Sequence, residues 1–151
     1  MSRPLLLNPR EGMELVGLVK HLNQDKINRF AGVSGGTSLI HLDPDFAEKT
    51  RFRSTVAHGI LLLAYISEMM KNNFGPPWFT SGDMDVRFVG PAKPGDTLVG
   101  RGEILRIETV ENRSRVSCSV RIENHRGEKV AEGQTQVSWE LRESKGANAN
   151  K

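Results

Sequence analysis

Apolar and polar residues change their rhythm once along this chain. In the second half the period is two. Met84, Val86 and Phe88 alternate with Asp85 and Arg87. Val116, Cys118, Val120 and Ile122 alternate with Arg115, Ser117, Ser119 and Arg121, and Ala131, Thr135, Val137 and Trp139 with Glu132, Gln134, Gln136 and Ser138. One apolar face at this period predicts half-buried strands of an antiparallel sheet. Gly127, within residues 124–128, stands where a short hairpin loop needs a positive φ, and residues 111–114 are a second turn candidate. Pro91, Pro94 and Gly95 break the chain before a strand that starts near Thr97.

The first half reads as helices and loops. Residues 13–21 suit an opening strand. Asn23 can cap a short helix to about Phe30 or Ala31, with Gln24 and Asp25 in its first turn. Gly32, Gly35 and Gly36 place three glycines in five residues, so the backbone there must turn sharply or approach something closely. The strongest helix is predicted over residues 55–73. Ile60, Leu61, Leu62, Leu63, Tyr65, Ile66, Met69 and Met70 make its first turns apolar nearly all round, the mark of a buried helix. Ser54 or Thr55 can cap its start, and Gly75-Pro76-Pro77 ends it. One buried helix beside a run of antiparallel strands gives an α+β class, with the sheet wrapped around the helix. Such a sheet leaves its edge strands exposed, and pairing them across a two-fold axis predicts a homodimer.

Composition narrows the picture. At 151 residues the chain suits one domain, read as an N-terminal arm over 1–12, a domain over 13–141 and a disordered tail over 142–151. A formal charge of +3, scattered without a block of like sign, argues against nucleic acid and is compatible with an anionic small molecule. The single cysteine, Cys118, sits on an apolar strand face and reads as core; it excludes an intrachain disulfide. Metal-ligand spacing of the Cys/His kind is absent. Leu5-Leu6-Leu7 is too short for a signal-peptide core, and no apolar run spans a bilayer, so a cytoplasmic protein is expected.

The candidate chemistry lies in residues 30–70. Phe30-Ala31 is followed by Ser34-Gly35-Gly36-Thr37-Ser38-Leu39-Ile40-His41-Leu42-Asp43, and then by Ala57-His58-Gly59-Ile60-Leu61. Arg87-Phe88-Val89-Gly90-Pro91, Pro94-Gly95-Asp96-Thr97-Leu98 and the segment 124–133 continue the pattern. Together they resemble the MaoC-like hydratases and dehydratases, which include the R-specific enoyl-CoA hydratases. Their signature runs Phe-Ala, Ser-Gly-Asp-x-Asn-Pro-Ile-His-x-Asp, then Ala-His-Gly-(Ile/Met)-Leu. The resemblance covers roughly residues 13–140 and implies a hot-dog fold. Ser34, Gly35, His41 and Asp43 match, but the family's catalytic aspartate falls on Gly36, and its Asn-Pro falls on Ser38-Leu39.

The family's reaction adds water across the double bond of an enoyl thioester, or removes it in reverse. It needs a base for the water, a proton donor for the α-carbon, and donors for the thioester oxygen as it gains charge. The resemblance assigns the proton work to an Asp and a His on one water, so here His41 is left without its carboxylate. It assigns the oxyanion donor to the backbone N–H of Gly59, at a helix start where unpaired N–H groups favour an anion. His41 and Gly59 are therefore the candidate catalytic positions, and Ser34, Gly36, His58 and Ser67 the candidate substrate-contacting ones. The nearest other acids are Asp43, Asp45 and Glu68, of which Asp43 reads better as a helix cap. His58 also reads as a packing residue, Trp78 and Phe79 as either acyl-pocket or core, and Arg51 and Arg53 as either phosphate contacts or solvated surface. No cofactor is implied; the substrate would be a CoA or carrier-protein thioester. Three functions stay open: a hydratase or dehydratase working mainly through His41, an acyl-thioester-binding partner subunit with impaired catalysis, and a hot-dog thioesterase.

Overall fold

The computed structural model describes residues 5–142. The expected disordered tail lies outside the described residues except for Arg142, as do the first four residues of the arm. Five strands form one antiparallel sheet: β1 (Leu18–His21), β2 (Asp83–Phe88), β3 (Thr97–Val110), β4 (Arg113–Asn124) and β5 (Lys129–Glu140), in the order β1-β3-β4-β5-β2. The helices are α1 (Gln24–Ser34), α2 (Leu39–Leu42), α3 (Pro44–Glu48), α4 (Gly59–Phe74) and α5 (Pro76–Ser81). The α+β expectation holds.

The sheet keeps its apolar face on α4 with two irregularities. Between Ile104 and Arg106 the register of β3 against β4 shifts, and Leu105 is the extra, exposed residue. Before the shift the buried positions are even-numbered (Leu98, Gly100, Gly102, Ile104); after it, the inward apolar residue is the odd-numbered Ile107. A bulge of one residue is what such a phase change requires. Between Ile122 and Glu123 a second shift leaves Val130 and Ala131 buried in succession on β5.

Met69, Met70, Ile66 and Phe74 of α4 are fully buried against Leu98, Ile104, Val116, Ile122 and Val137 of the sheet. Each such side chain contributes about 1.5–3 kcal/mol by leaving water. Asn73, the buried polar residue of this face, is satisfied threefold: its Oδ1 accepts from the Val16 N–H at 2.9 Å, and its Nδ2 donates to the carbonyls of Val16 (2.9 Å) and Met69 (2.8 Å). It ties the incoming chain to the helix.

Several expectations shift. The opening strand is shorter than 13–21, because residues before Leu18 make only a single bridge, Glu14 to Glu103. Helix α1 is capped by Asn23 as expected, its Oδ1 accepting from the Lys26 N–H, but it runs on to Ser34. Gly32 therefore lies inside the helix, and Gly35 is the left-handed residue that ends it (φ 77°). Helix α4 starts at Gly59, not near Thr55; neither Ser54 nor Thr55 caps it, and His58 stands at the N-cap position with no side-chain cap bond. It is not buried all round either, since Ile60 is 66 % exposed. Gly75 ends it, yet Pro76 and Pro77 then open a further helix, α5, where prolines in the first turn lose no needed N–H. Gly127 has the positive φ (77°) expected for the β4–β5 turn.

Candidate active site

His41 sits in the single turn of α2, and three contacts hold it. Its Nδ1 lies 2.8 Å from the carbonyl oxygen of Val56. A carbonyl only accepts, so Nδ1 carries the hydrogen and the neutral ring keeps its lone pair on Nε2. Its own carbonyl accepts from Gln24 Nε2 at 2.8 Å. Gln24 is fixed in turn by Thr55, whose Oγ1 donates to Gln24 Oε1 at 2.5 Å. Thr55 and Gln24 thus support the histidine, a role hidden from the sequence because the residues lie 31 positions apart. The third contact is His58: the two imidazoles stack with centroids 3.8 Å apart and an interplanar angle of 23°.

His58 is only 6 % exposed. Its Nε2 donates to the carbonyl of Gly36 at 2.7 Å, and the edge of Phe30 meets its ring at 5.0 Å. Its Nδ1 is buried with no hydrogen-bond partner among the described residues. The Gly36 N–H donates to Ser34 Oγ at 3.2 Å, closing the turn after α1. A β-carbon built on Gly36 would stand 2.8 Å from His58 Cδ2, 3.0 Å from its Nε2 and 3.3 Å from Ser34 Oγ. Ser34, Gly36, His41 and His58 are therefore brought together.

Gly59 follows His58 as the first residue of α4. Its N–H has no acceptor among the described residues, whereas the Leu61 N–H is taken by the His58 carbonyl at 3.0 Å. A β-carbon here would lie 2.6–3.0 Å from the tip of the half-exposed Phe88 ring, so the ring would have to move for any other residue, a constraint the sequence did not show. A cavity of about 470 Å³ opens beside Gly59, lined also by Arg51, Phe52, Val56, Phe88 and Pro91. His41 does not line it; it reaches the cavity wall only through Val56.

The remaining candidates are placed elsewhere. Ser67 Oγ accepts from Trp78 Nε1 at 2.9 Å, fastening α5 to α4, about 12 Å along the helix from Gly59 by the rise of eight residues. Trp78 is core, and Phe79 is 71 % exposed. Asp43 Oδ1 accepts from the N–H groups of Asp45 and Phe46 and caps α3; Glu68 pairs with Lys20 at 2.8 Å. Arg51 lies in the cavity wall with its guanidinium over the Phe52 ring, while Arg53 is exposed in a left-handed conformation (φ 58°). Among the described residues no group of three His, Cys, Asp or Glu side chains could hold a metal ion, and no helix is long and apolar enough to cross a membrane.

Residues 9–125 match the family described as the MaoC like domain. The chain belongs to the MaoC-like family. It is similar to the (R)-specific enoyl-CoA hydratase of Rhodospirillum rubrum, 30 % identical over 89 residues, which cover 59 % of this chain and 61 % of the relative. It is also similar to the 3-hydroxybutyryl-CoA dehydratase of Methylorubrum extorquens, 26 % identical over 102 residues, or 68 % of this chain and 65 % of the relative. The chain thus spans a little under two thirds of these relatives' length. Among solved structures, an unliganded R-hydratase of Pseudomonas aeruginosa superposes with a TM-score of 0.74 at 29 % identity, covering 89 % of both chains. A MaoC-like dehydratase of Rhodospirillum rubrum gives 0.78 at 23 % identity over 92 % of this chain and 99 % of its own, and speaks for the shared hot-dog fold.

Proposed function

We propose that this MaoC-like domain is an enoyl-thioester hydratase, or 3-hydroxyacyl-thioester dehydratase in reverse, working through His41 with Gly59 as the oxyanion donor. The observation that carries the reading is the 2.8 Å contact between His41 Nδ1 and the Val56 carbonyl. With Nδ1–H given to the Val56 carbonyl, Nε2 is the free base, and it is not a buried, unpartnered atom. In the forward direction Nε2 takes a proton from water as the water oxygen bonds to the β-carbon. The electron pair of the double bond moves to the thioester, whose oxygen gains charge and is met by the Gly59 N–H at the positive end of α4. The imidazolium then returns the proton to the α-carbon on the same face, and the enolate collapses to the saturated 3-hydroxyacyl thioester. In this reading Ser34 and Gly36 shape the loop beside the attacking water, and Arg51, which lines the cavity, would meet an anionic group of the substrate's carrier. The reading includes a homodimer and needs no cofactor.

One feature favours a second reading, an acyl-thioester-binding partner subunit: Gly36 offers no carboxylate, and Asp43 and Glu68 are engaged elsewhere. Assay of the purified chain separates the readings. Loss of the enoyl chromophore of a short enoyl-CoA, with 3-hydroxyacyl-CoA formed, is the expected result. Binding of enoyl-CoA without turnover would establish the partner-subunit reading instead. Release of free CoA from a saturated acyl-CoA would establish a thioesterase.

A further inference from the structure

The place of the missing side chain at position 36 is not empty. The His58 imidazole fills it: the ring lies so near the Gly36 α-carbon that a β-carbon there would meet two of its atoms at 3.0 Å or less. Any side chain at position 36 would have to displace this ring. Glycine lets it come in.

We propose that His58 stands in for the absent carboxylate as a positioning residue for His41. It cannot meet substrate directly, since its Nε2–H is given to Gly36 and its Nδ1 is buried. What it offers is its ring. Stacked at 3.8 Å, it fixes the plane of His41, so that Nδ1–H stays on the Val56 carbonyl and Nε2 keeps one direction. The bond from Nε2 to Gly36 holds the ring in place, and Phe30 packs against it in a T-shaped arrangement. His58 also leads directly into Gly59, so the proton-handling group and the oxyanion donor are set by one rigid stretch of chain.

The catalytic consequence rests on the proposed function; the placement does not. The test therefore uses two readouts on the full-length chain. In 15N-labelled protein, the imidazole Nδ1–H of His41 is expected to exchange slowly in the wild type and in His58→Phe, which keeps the ring. It is expected to exchange much faster in His58→Gln, which keeps the donor to Gly36 and loses the ring. With a short enoyl-CoA, kcat is expected to fall by about 10²-fold in His58→Gln, the scale set by misplacing a reacting group by an ångström. KM should stay nearly constant, and His58→Phe, which keeps the ring but loses its bond to Gly36, should lose less of kcat than His58→Gln. Gly36→Ala is the second route: by pushing the ring aside it should speed exchange of the same proton in an otherwise native chain. Slow exchange in His58→Gln and in Gly36→Ala overturns the proposal, as does an unchanged kcat in His58→Gln. Absence of turnover by the wild type, with the exchange order as expected, overturns the proposed function and leaves the placement of His58 standing.

Discussion

At the scale of single residues, the motif made His41 and Gly59 visible, but not what holds them. The tautomer of His41 follows from a carbonyl 15 positions away, and its backbone from a glutamine 17 positions before it. Such partners come from tertiary folding and leave no periodic trace in the sequence. Thr55 is an example: it reads as a helix cap, yet it is buried with its hydroxyl on Gln24. Thr55→Val keeps its shape and leaves the Gln24 acceptor unpaired, so thermal unfolding should show a loss of about 1–3 kcal/mol, with kcat falling as well. Cys118 was legible as core from its alternation alone. Burial pushes its thiol up to about 12, with the hydroxyl of Thr135 opposing in a smaller measure. The raised value keeps the neutral thiol dominant through the whole range below it. Cys118 in the folded chain should therefore resist a thiol-alkylating reagent at pH 8 and react only when denaturant exposes it; alkylation at the rate of a free thiol without unfolding would contradict this burial.

At the scale of elements, alternation located the long strands and apolar density located α4. Their ends were less legible. The start of α4 moved to Gly59 because the carbonyls a helix from residue 55 would use are spent on other partners: that of Thr55 on the Ser54 hydroxyl at 2.9 Å and that of Val56 on His41 Nδ1 at 2.8 Å. Helix α5 was missed because two prolines read as a stop, while at the first positions of a helix they are a start. The bulge at Leu105 was missed because period two breaks there by a single residue. The junction between α4 and β2 carries its own prediction. Gly59→Ala would drive a methyl group against the tip of the half-exposed Phe88 ring, at a cost toward the low end of the about 1–3 kcal/mol of core overpacking. Calorimetry should show this loss, and Phe88→Leu in the same chain should recover much of it. A loss unaffected by Phe88→Leu would mean that the glycine is kept for another reason.

At the scale of the whole molecule, the family blocks from Phe30 to Gly133 occur in order, and the hot-dog architecture was legible from them together with the strand pattern. The sheet ends in β1 and β2, and near the Phe88 end of β2 lie exposed Ile60, Phe88 and Val89, beside the cavity that Gly59 lines. Covering such surface together with an edge strand is a common use of a second copy. Sedimentation equilibrium is expected to give a dimer, and Phe88→Glu to shift it toward monomer; a monomeric wild type at micromolar concentration would remove the homodimer from the account. In the proposed mechanism a lone imidazole, held by Val56 and backed by His58, moves the proton. The most direct test of this mechanism is kcat/KM for hydration of a short enoyl-CoA by the wild type and by His41→Gln, with circular dichroism confirming the fold. Measurable turnover by the wild type and a loss of about 10²–10⁴-fold in the variant are expected. Equal rates in the two proteins would contradict the mechanism.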